Sequence, residues 1–287
     1  MSGTLYLCAT PIGNLRDITQ RVLDTLAEVD LIAAEDTRNT IKLLNHFQIK
    51  KPMTSYHEFN KFEKAEELIG LLQQGKNIAL VTDAGTPAIS DPGEVLVRRC
   101  REEELPVTSL PGCCALITAL TLSGLPTRRF CFEGFLPREK KERRQILEEL
   151  KKETRTIIMY EAPHHLQKTL AELGELLGNR KIVLCKELTK KFESVMEGRL
   201  VELAEYFEEN EPRGEYVLVL EGADRQELLK ETQRSWEEMS LSEHMAFYEE
   251  QGYSNKDSMK LVAKDRGVTK REIYQELLSG RENEISN

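Results

Sequence analysis

The sequence is notable first for what it lacks. No Gly-x-Gly-x-x-Gly run occurs anywhere, which excludes the usual dinucleotide-binding Rossmann turn. No stretch approaches the roughly 18 consecutive apolar residues of a membrane span. The opening residues, Met1 to Cys8, carry neither a basic region nor a long apolar run, so no secretory signal is expected. The six cysteines include no Cys-x-x-Cys pair. Cys8, Cys131 and Cys185 sit in apolar, strand-like runs, where a thiol serves as a small hydrophobe. A reducing compartment without disulfides or zinc is expected. A basic excess is missing too: 40 Lys and Arg against 49 Asp and Glu leave a formal charge of −9. That excludes a uniformly basic coat and leaves room for local basic patches. The nearest approach to a phosphate loop, Gly70 to Asn77, has Asn77 where Ser or Thr belongs. It also runs from helix to strand, the wrong direction, and reads as a helix capped at Gly75.

What is present is alternation. Strand-like runs at Thr4–Ala9, Asp30–Glu35, Pro52–Tyr56, 77–81 and Pro106–Leu110 are separated by helical patterns at Thr19–Glu28, Thr37–Phe47, Phe59–Gln73, 93–104 and Gly112–Leu122. Strands spaced by helices of this length predict a mainly parallel sheet covered on both faces. The stretch Leu122 to Thr127 breaks the pattern, and a second α/β block follows. It has strands at Phe130–Phe135, Thr156–Tyr160 and Lys181–Lys186, with helices at Lys140–Glu153 and Pro163–Leu177. Beyond Lys186, the runs Ser194–Glu197, Val201–Glu208 and Tyr216–Leu220 suggest mixed or antiparallel pairing. A polar linker helix and a small all-helical tail complete the chain. The expected division is 1–122, 123–223 and 224–287.

The most distinctive segment is Thr82-Asp83-Ala84-Gly85-Thr86-Pro87-Ala88-Ile89-Ser90-Asp91-Pro92-Gly93. A buried strand ends there and a helix begins, the place where open α/β sheets bind ligands. Its small residues admit a ligand to the backbone. Asp91-Pro92 reads as a helix start. Other corners fall on the same sheet edge. Thr10-Pro11-Ile12-Gly13-Asn14-Leu15 closes the first strand and Glu35-Asp36-Thr37-Arg38 the second. Asp36 or Thr37 could be only a helix cap there, or the polar group could face the cleft. His57-Glu58 follows the third strand, and His57 is either structural or within reach of the cleft. Pro111-Gly112-Cys113-Cys114-Ala115 opens another helix, with free backbone N–H groups at its start. Nothing basic flanks the paired cysteines to activate a thiol.

In the second block, Tyr160-Glu161-Ala162-Pro163-His164-His165 closes one strand and Lys186-Glu187-Leu188-Thr189-Lys190-Lys191 another. Adjacent histidines on a helix do not face one another, and no third ligand is spaced to join them, so no metal is expected. Lys186 and Lys190 belong to a local basic cluster suited to phosphate, or to a solvated loop. In the tail, Lys256, Lys260 and Lys264 recur at every fourth position before a glycine turn at Gly267 and a second helix begun by Lys270 and Arg271. The pattern is that of a helix-turn-helix unit, with either a solubilising face or a sequence-tolerant nucleic-acid patch.

Taken together, Thr10 to Leu15 with Asp17-Ile18-Thr19, Glu35 to Arg38, Thr82 to Gly93, and Pro111-Gly112 followed by Ala115 resemble the tetrapyrrole-methylase superfamily. The resemblance extends through Phe132 to Pro137 and Glu161 to His164 into the tail. Within the superfamily it is to the branch that methylates the ribose 2′-oxygen of a cytidine in the decoding region of small-subunit (16S) ribosomal RNA. The resemblance implies two α/β domains plus a small helical C-terminal domain, with S-adenosylmethionine bound between the α/β domains and no metal. It also implies a cytoplasmic homodimer acting on 16S rRNA or the small ribosomal subunit. It places the donor against Pro11, Asp83, Ala84, Gly85, Pro87, Cys114 and Ala115. Relatives have Pro-Ser-Ala where this chain has Cys113-Cys114-Ala115, which removes a hydroxyl at 114. Tetrapyrrole-methylating members often carry Gly-Asp-Pro at the central loop, and Thr82-Asp83-Ala84 here favours the RNA branch.

The expected chemistry is direct displacement at a sulfonium methyl, with alignment as the main source of rate. A hydroxyl nucleophile benefits from a base or a nearby cation. Glu35 or Asp36 is the expected proton acceptor, with Arg38 and Lys186 holding phosphate and Lys190 assisting. His57, Glu161, Lys260 and Lys264 complete the expected substrate contacts. Two rival readings remain. A methylase of a tetrapyrrole-like small molecule has no use for a basic tail. A ligand-sensing DNA regulator would bind duplex without turnover.

Overall fold

The computed structural model describes the backbone of residues 1–285 and the side chains within it, except those of 231–235, 237, 238 and 279–285. The N-terminal sheet contains β1 (Leu5–Cys8), β2 (Leu31–Ala34), β3 (Met53–Ser55), β4 (Ile78–Val81) and β5 (Val107–Leu110) in the order β3-β2-β4-β1-β5. Every pairing is parallel, so all the carboxyl ends lie along one edge. Both faces are covered, and β4 is buried along its whole length, as an apolar run in a parallel sheet requires.

The helices form where apolar residues recur at helical spacing. In α1 (Gln20–Glu28), Val22 and Leu26 are buried and Thr19 caps the Val22 N–H. In α3 (Lys61–Gln73), Ala65, Leu68, Ile69 and Leu72 make one buried stripe. Gly75, at φ +89°, ends that helix as its sequence implies. The remaining helices of this half are α2 (Thr37–His46), α4 (Gly93–Glu102) and α5 (Ala115–Leu122).

The second sheet contains β6 (Phe130–Phe135), β7 (Thr156–Glu161), β8 (Lys181–Lys186), β9 (Ser194–Arg199) and β10 (Tyr216–Leu220) in the order β6-β7-β10-β8-β9. β6 and β7 run parallel, and the other pairs are antiparallel. The change after Lys186 anticipated from the sequence is thus a mixed sheet. One face packs on α6 (Lys140–Leu150), α7 (Pro163–Leu177) and α8 (Leu200–Glu209), around Leu166, Leu170, Leu184 and Leu218. The other carries Ile158, Val183, Cys185, Val217 and Val219 and packs against α5, through Leu116, Ala119 and Leu120. Period-two alternation assigns each strand residue to one core or the other.

Residues 1–222 form one compact unit and 223–287 a second. The second unit holds α9 (Arg225–Glu238), α10 (Leu241–Glu250), α11 (Asn255–Asp265) and α12 (Lys270–Ile285). Leu241, Met245, Val262, Ala263 and Ile273 form its core. Fully buried His244 lies 3.3 Å from an Asp265 oxygen and accepts from Arg266 Nε at 3.2 Å. No helix of the described residues is long and apolar enough to cross a membrane.

Candidate active site

A cavity of about 520 Å³ opens between the carboxyl edge of the parallel sheet and the second sheet. That volume lies within the ~300–1,000 Å³ usual for small-molecule sites. The first sheet contributes Ile12, Glu35, the central loop from Thr82 to Thr86, and Cys114-Ala115 at the start of α5. Tyr160 to Pro163, Cys185, Lys190 and Glu215 to Val217 form the opposite wall. A neighbouring hollow of about 460 Å³ shares Ile12, Thr82 to Ala84, Lys190 and Glu215, and adds Pro11, Gly13 and Asn39.

Hydrogen bonds fix the corners to one another. Thr10 and Gly85 exchange backbone N–H···O bonds of 2.9 and 3.0 Å, an isolated bridge between the first and central loops. Thr10 Oγ1 also donates to the Thr82 carbonyl at 3.1 Å, and Thr86 Oγ1 to the Cys113 carbonyl at 2.9 Å. Asp91 gathers the far side of the central loop, accepting from the N–H groups of Ala88, Ile89 and Gly93. The helix begins one residue later than Asp91-Pro92 suggests: Pro92 holds the cap position, and Asp91 organises the loop that leads into it. Burial pushes the Asp91 carboxyl up from its ordinary value, against the pull of those three donors.

The sheets meet through a close approach. A Cβ at Gly13 would lie 2.4 Å from Lys190 Cγ and 2.9 Å from Thr189 Oγ1. Only glycine lets the first loop seat against the loop after β8. Among the described residues, six non-glycine residues have positive φ, and four of them fall in rim loops: Ala88 and Ser90 in the central loop, Glu187 and Thr189 in the loop after β8. Backbone held in that region tends to cluster at functional sites.

The residues singled out from the sequence separate into three groups. Glu35, Asp83, Ala84, Gly85, Cys114, Ala115, Glu161 and Lys190 line the main cavity, and Pro11 lines the adjoining hollow. Glu35 Oε2 accepts from Thr82 Oγ1 at 2.6 Å and from the Asp83 N–H at 3.1 Å. Asp83 accepts from Asn39 Nδ2 at 3.1 Å. Burial, reinforced by Glu35 and Asp36, raises its pKa. Lys190 is held by Glu187 at 2.9 Å and Glu215 at 2.7 Å. Burial disfavours its charge, but the two carboxylates outweigh that and raise its pKa. Glu161 is buried with both oxygens engaged, one by the Ala162 N–H at 2.8 Å and the other by Thr169 Oγ1 at 2.5 Å.

A second group lies outside the cavity lining. Asp36 caps α2 and forms a two-oxygen pair with Arg38, which holds its carboxyl down to about 2. Arg38 is 87% exposed. Pro87 is a buried member of the central loop. His57 follows β3, the edge strand beyond β2, and its Nδ1 is buried without a hydrogen-bond partner. Lys186 shares its face of β8 with Ile182 and Leu184, and lines a different hollow with Tyr206 and Arg213. Strand alternation gives Cys185, its neighbour, to the cavity.

The third group is in the helical unit. Lys260 and Lys264 are exposed on α11, and Lys260 pairs with Asp257 at 2.9 Å. Among the described residues, no three His, Cys, Asp or Glu side chains are grouped as metal ligands.

Tyr160, Phe135, Glu215 and Tyr216 were not marked by sequence reasoning, although all four line the cavity. Their signal is pairing: Tyr216 lies opposite both Glu161 and Lys186 in the sheet register. Burial raises the Tyr160 phenol to about 12, so it remains a neutral donor.

The site can hold a small polar ligand with hydroxyl or positively charged groups. α5 begins without a side-chain cap, which leaves first-turn N–H groups for a ligand. Gly85, at φ +88°, lets the central loop turn into its bridge with Thr10, which leaves the exposed Asp83 and Ala84 at the cavity. The carboxylates of Glu35 and Asp83 suit hydroxyls or a positive centre.

Residues 4–204 match the family model described as Tetrapyrrole (Corrin/Porphyrin) Methylases. The chain is 50% identical to the ribosomal RNA small subunit methyltransferase I of Halalkalibacterium halodurans, over 95% of this chain and 93% of that protein. It is 48% identical to the Bacillus subtilis protein of the same name, with the same coverage. Among solved structures, a diphthine synthase superposes with TM-score 0.59 at 15% identity, covering 76% of this chain and 90% of that one. A uroporphyrin-III C-methyltransferase from Thermus thermophilus, complexed with S-adenosyl homocysteine, superposes with TM-score 0.54 at 18% identity over 76% and 97%.

Proposed function

This chain belongs to the tetrapyrrole (corrin/porphyrin) methylase family, and on that footing we propose that it methylates small-subunit ribosomal RNA. The target is the ribose 2′-oxygen of a cytidine in the decoding region, and the donor is S-adenosylmethionine. The protein acts as a cytoplasmic homodimer on 16S rRNA or the small ribosomal subunit. The observation that carries the reading is the cavity itself: about 520 Å³, walled by the central loop, the start of α5 and the second sheet. The names of relatives at about half identity over nearly the whole chain supply the RNA.

Asp83, Ala84, Gly85, Cys114 and Ala115 would hold the donor, Pro11 shaping the adjoining loop. S-adenosylmethionine supplies an electrophilic methyl group that carries its own leaving group. The protein then has two tasks: to align a ribose hydroxyl and to take up its proton. Glu35 is the acceptor. It faces the cavity, and its Oε2 is anchored by Thr82 and the Asp83 N–H. Asp36 is a poor base, because Arg38 holds it near 2. Lys190 lines the cavity with two of its N–H groups held by Glu187 and Glu215, which leaves the third to donate to a substrate oxygen. Thr169 and the Ala162 N–H hold Glu161 in the wall. Lys260 and Lys264 give the tail a positive contact for RNA.

The test is methyl transfer from labelled S-adenosylmethionine to small subunits lacking the modification, followed by mapping of the modified ribose. Label at a cytidine 2′-oxygen in the decoding region is the expected result. Donor binding with no label in any ribosomal RNA rejects the reading.

A further inference from the structure

Beyond the donor cavity, the second sheet carries a hollow of about 420 Å³ with a different chemistry. Its walls include Phe135, Arg138, Arg143, Glu161, His165 and Lys168. Phe135, Glu161 and Ala162 line this hollow and the main cavity alike, so the two spaces adjoin. In a chain of charge −9, basic side chains brought to one depression beside the reaction site call for an anion.

The basic groups are not equivalent. Arg143 is consumed by the protein: Nε donates to Glu172 at 2.6 Å and Nη2 to Thr169 Oγ1 at 2.8 Å. Thr169 in turn holds Glu161. This chain of bonds is a wall, and its carboxylates are occupied by donors from the protein. Lys168 has only a 3.7 Å contact with Glu172 and is 66% exposed. Arg138 is exposed and enters no ion pair among the described residues. His165 sits on the first turn of α7 with its ring beside that of His164, 4.1 Å away. At the boundary between the hollows stands Phe135, 58% exposed. Its ring contacts Tyr160 at 5.5 Å, which fixes its orientation. An exposed, supported aromatic ring next to one free and one loosely paired cation is the arrangement that proteins use to stack a splayed base and hold the adjoining phosphate.

We propose that this hollow is the strand-binding subsite of the enzyme: Arg138 and Lys168 bind a backbone phosphate next to the target nucleotide, and Phe135 stacks a neighbouring base. The inference rests on the RNA-methylating reading and adds where the strand runs. It enters the cavity over the β6 and β7 ends and passes across α7. Methylation of an internal ribose needs such a hold, because the target nucleotide must be splayed out of its neighbours' stack.

The test uses the full chain. Methyl transfer to unmodified small subunits is measured across a salt series for wild type, Arg138→Glu/Lys168→Glu, Arg138→Lys and Phe135→Ala, with donor affinity followed by calorimetry. The double variant is expected to raise KM for subunits about tenfold or more. It should also flatten the dependence of log KM on log salt by about 0.7–0.9 per lost contact. Phe135→Ala should raise KM roughly 5- to 150-fold without altering the salt slope. Arg138→Lys should retain most activity, and donor affinity should stay within about twofold in the Arg138 and Lys168 variants, whose side chains lie outside the donor cavity. A merely structural role would not alter the salt slope. An active wild type whose double variant keeps its KM and slope overturns the subsite alone. A wild type that binds donor and labels no ribosomal RNA overturns the function and this inference with it.

Discussion

Glu35 and Asp36 are adjacent acids with opposite fates, and the difference is parity. Asp36 turns outward to cap α2 and meet Arg38, while Glu35 faces the cavity and is anchored by Thr82. Glu35→Gln should lower kcat by about 10²–10⁴-fold, the usual contribution of a positioned base, with donor affinity largely kept. Asp36→Asn should remain active and show its effect in acid. The Asp36 carboxyl is held at about 2, below its ordinary 3.8. Its stabilisation is therefore present above about pH 4 and is lost as pH falls through 2. Melting temperatures between pH 2 and 5 should decline less steeply in Asp36→Asn. Asp83 and Asp91 have the opposite sign, since burial raises both. They favour the fold below the ordinary carboxylate range, and that share is lost as pH rises through their raised values. The sequence made both Glu35 and Asp36 candidates, as it did Lys186, because a strand end read alone does not say which face meets the ligand. For β8, packing of α5 on the Cys185 face decides which neighbour borders the cavity.

At the scale of elements, most of the fold was legible. β6, β8, β10 and α7 fall where hydrophobic pattern and Pro163 place them, because buried runs and caps are local signals. α5 is the instructive departure. Its pattern suggests a start at Gly112, yet the helix begins at Ala115. Gly112 packs so closely on Ala9 that a Cβ there would lie 2.6 Å from the Ala9 Cβ. A tertiary contact, invisible to periodicity, holds the turn extended. The bonds linking Arg143, Thr169 and Glu161 tie α6, α7 and β7 together. Thr169→Val keeps the shape and strands both partners, so it should cost about 1–3 kcal/mol by denaturant unfolding. Gly13→Val should act differently. A side chain there collides with Lys190 and Thr189, prying the rim loops apart, and donor affinity should fall more than stability.

For the whole molecule, two sheets within one compact unit of residues 1–222 make the cavity, and 223–287 form a separate unit. A chain ending at Gly222 should bind S-adenosylmethionine and lose methyl transfer to small subunits, measured by calorimetry and label incorporation. A truncated chain with full transfer would remove Lys260 and Lys264 from substrate binding. The alternation of strands and helices exposed the parallel sheet, and the long corner motifs exposed the family. The meeting of the sheets was not legible, because the contacts that join them, Gly13 with Lys190 and Gly134 with Ser90, connect residues more than forty positions apart.

Thr189 is a β-branched residue at φ +65°, a geometry such residues resist. It stays there because the loop after β8 is wedged against Gly13. The mouth of the cavity is therefore a tensioned frame, set before any molecule enters. Thr189→Gly would relax that frame by about 1–2 kcal/mol and let it wander. A sturdier protein with a blunter grip on its donor is the consequence, a trade measurable as a higher melting temperature alongside a weaker Kd.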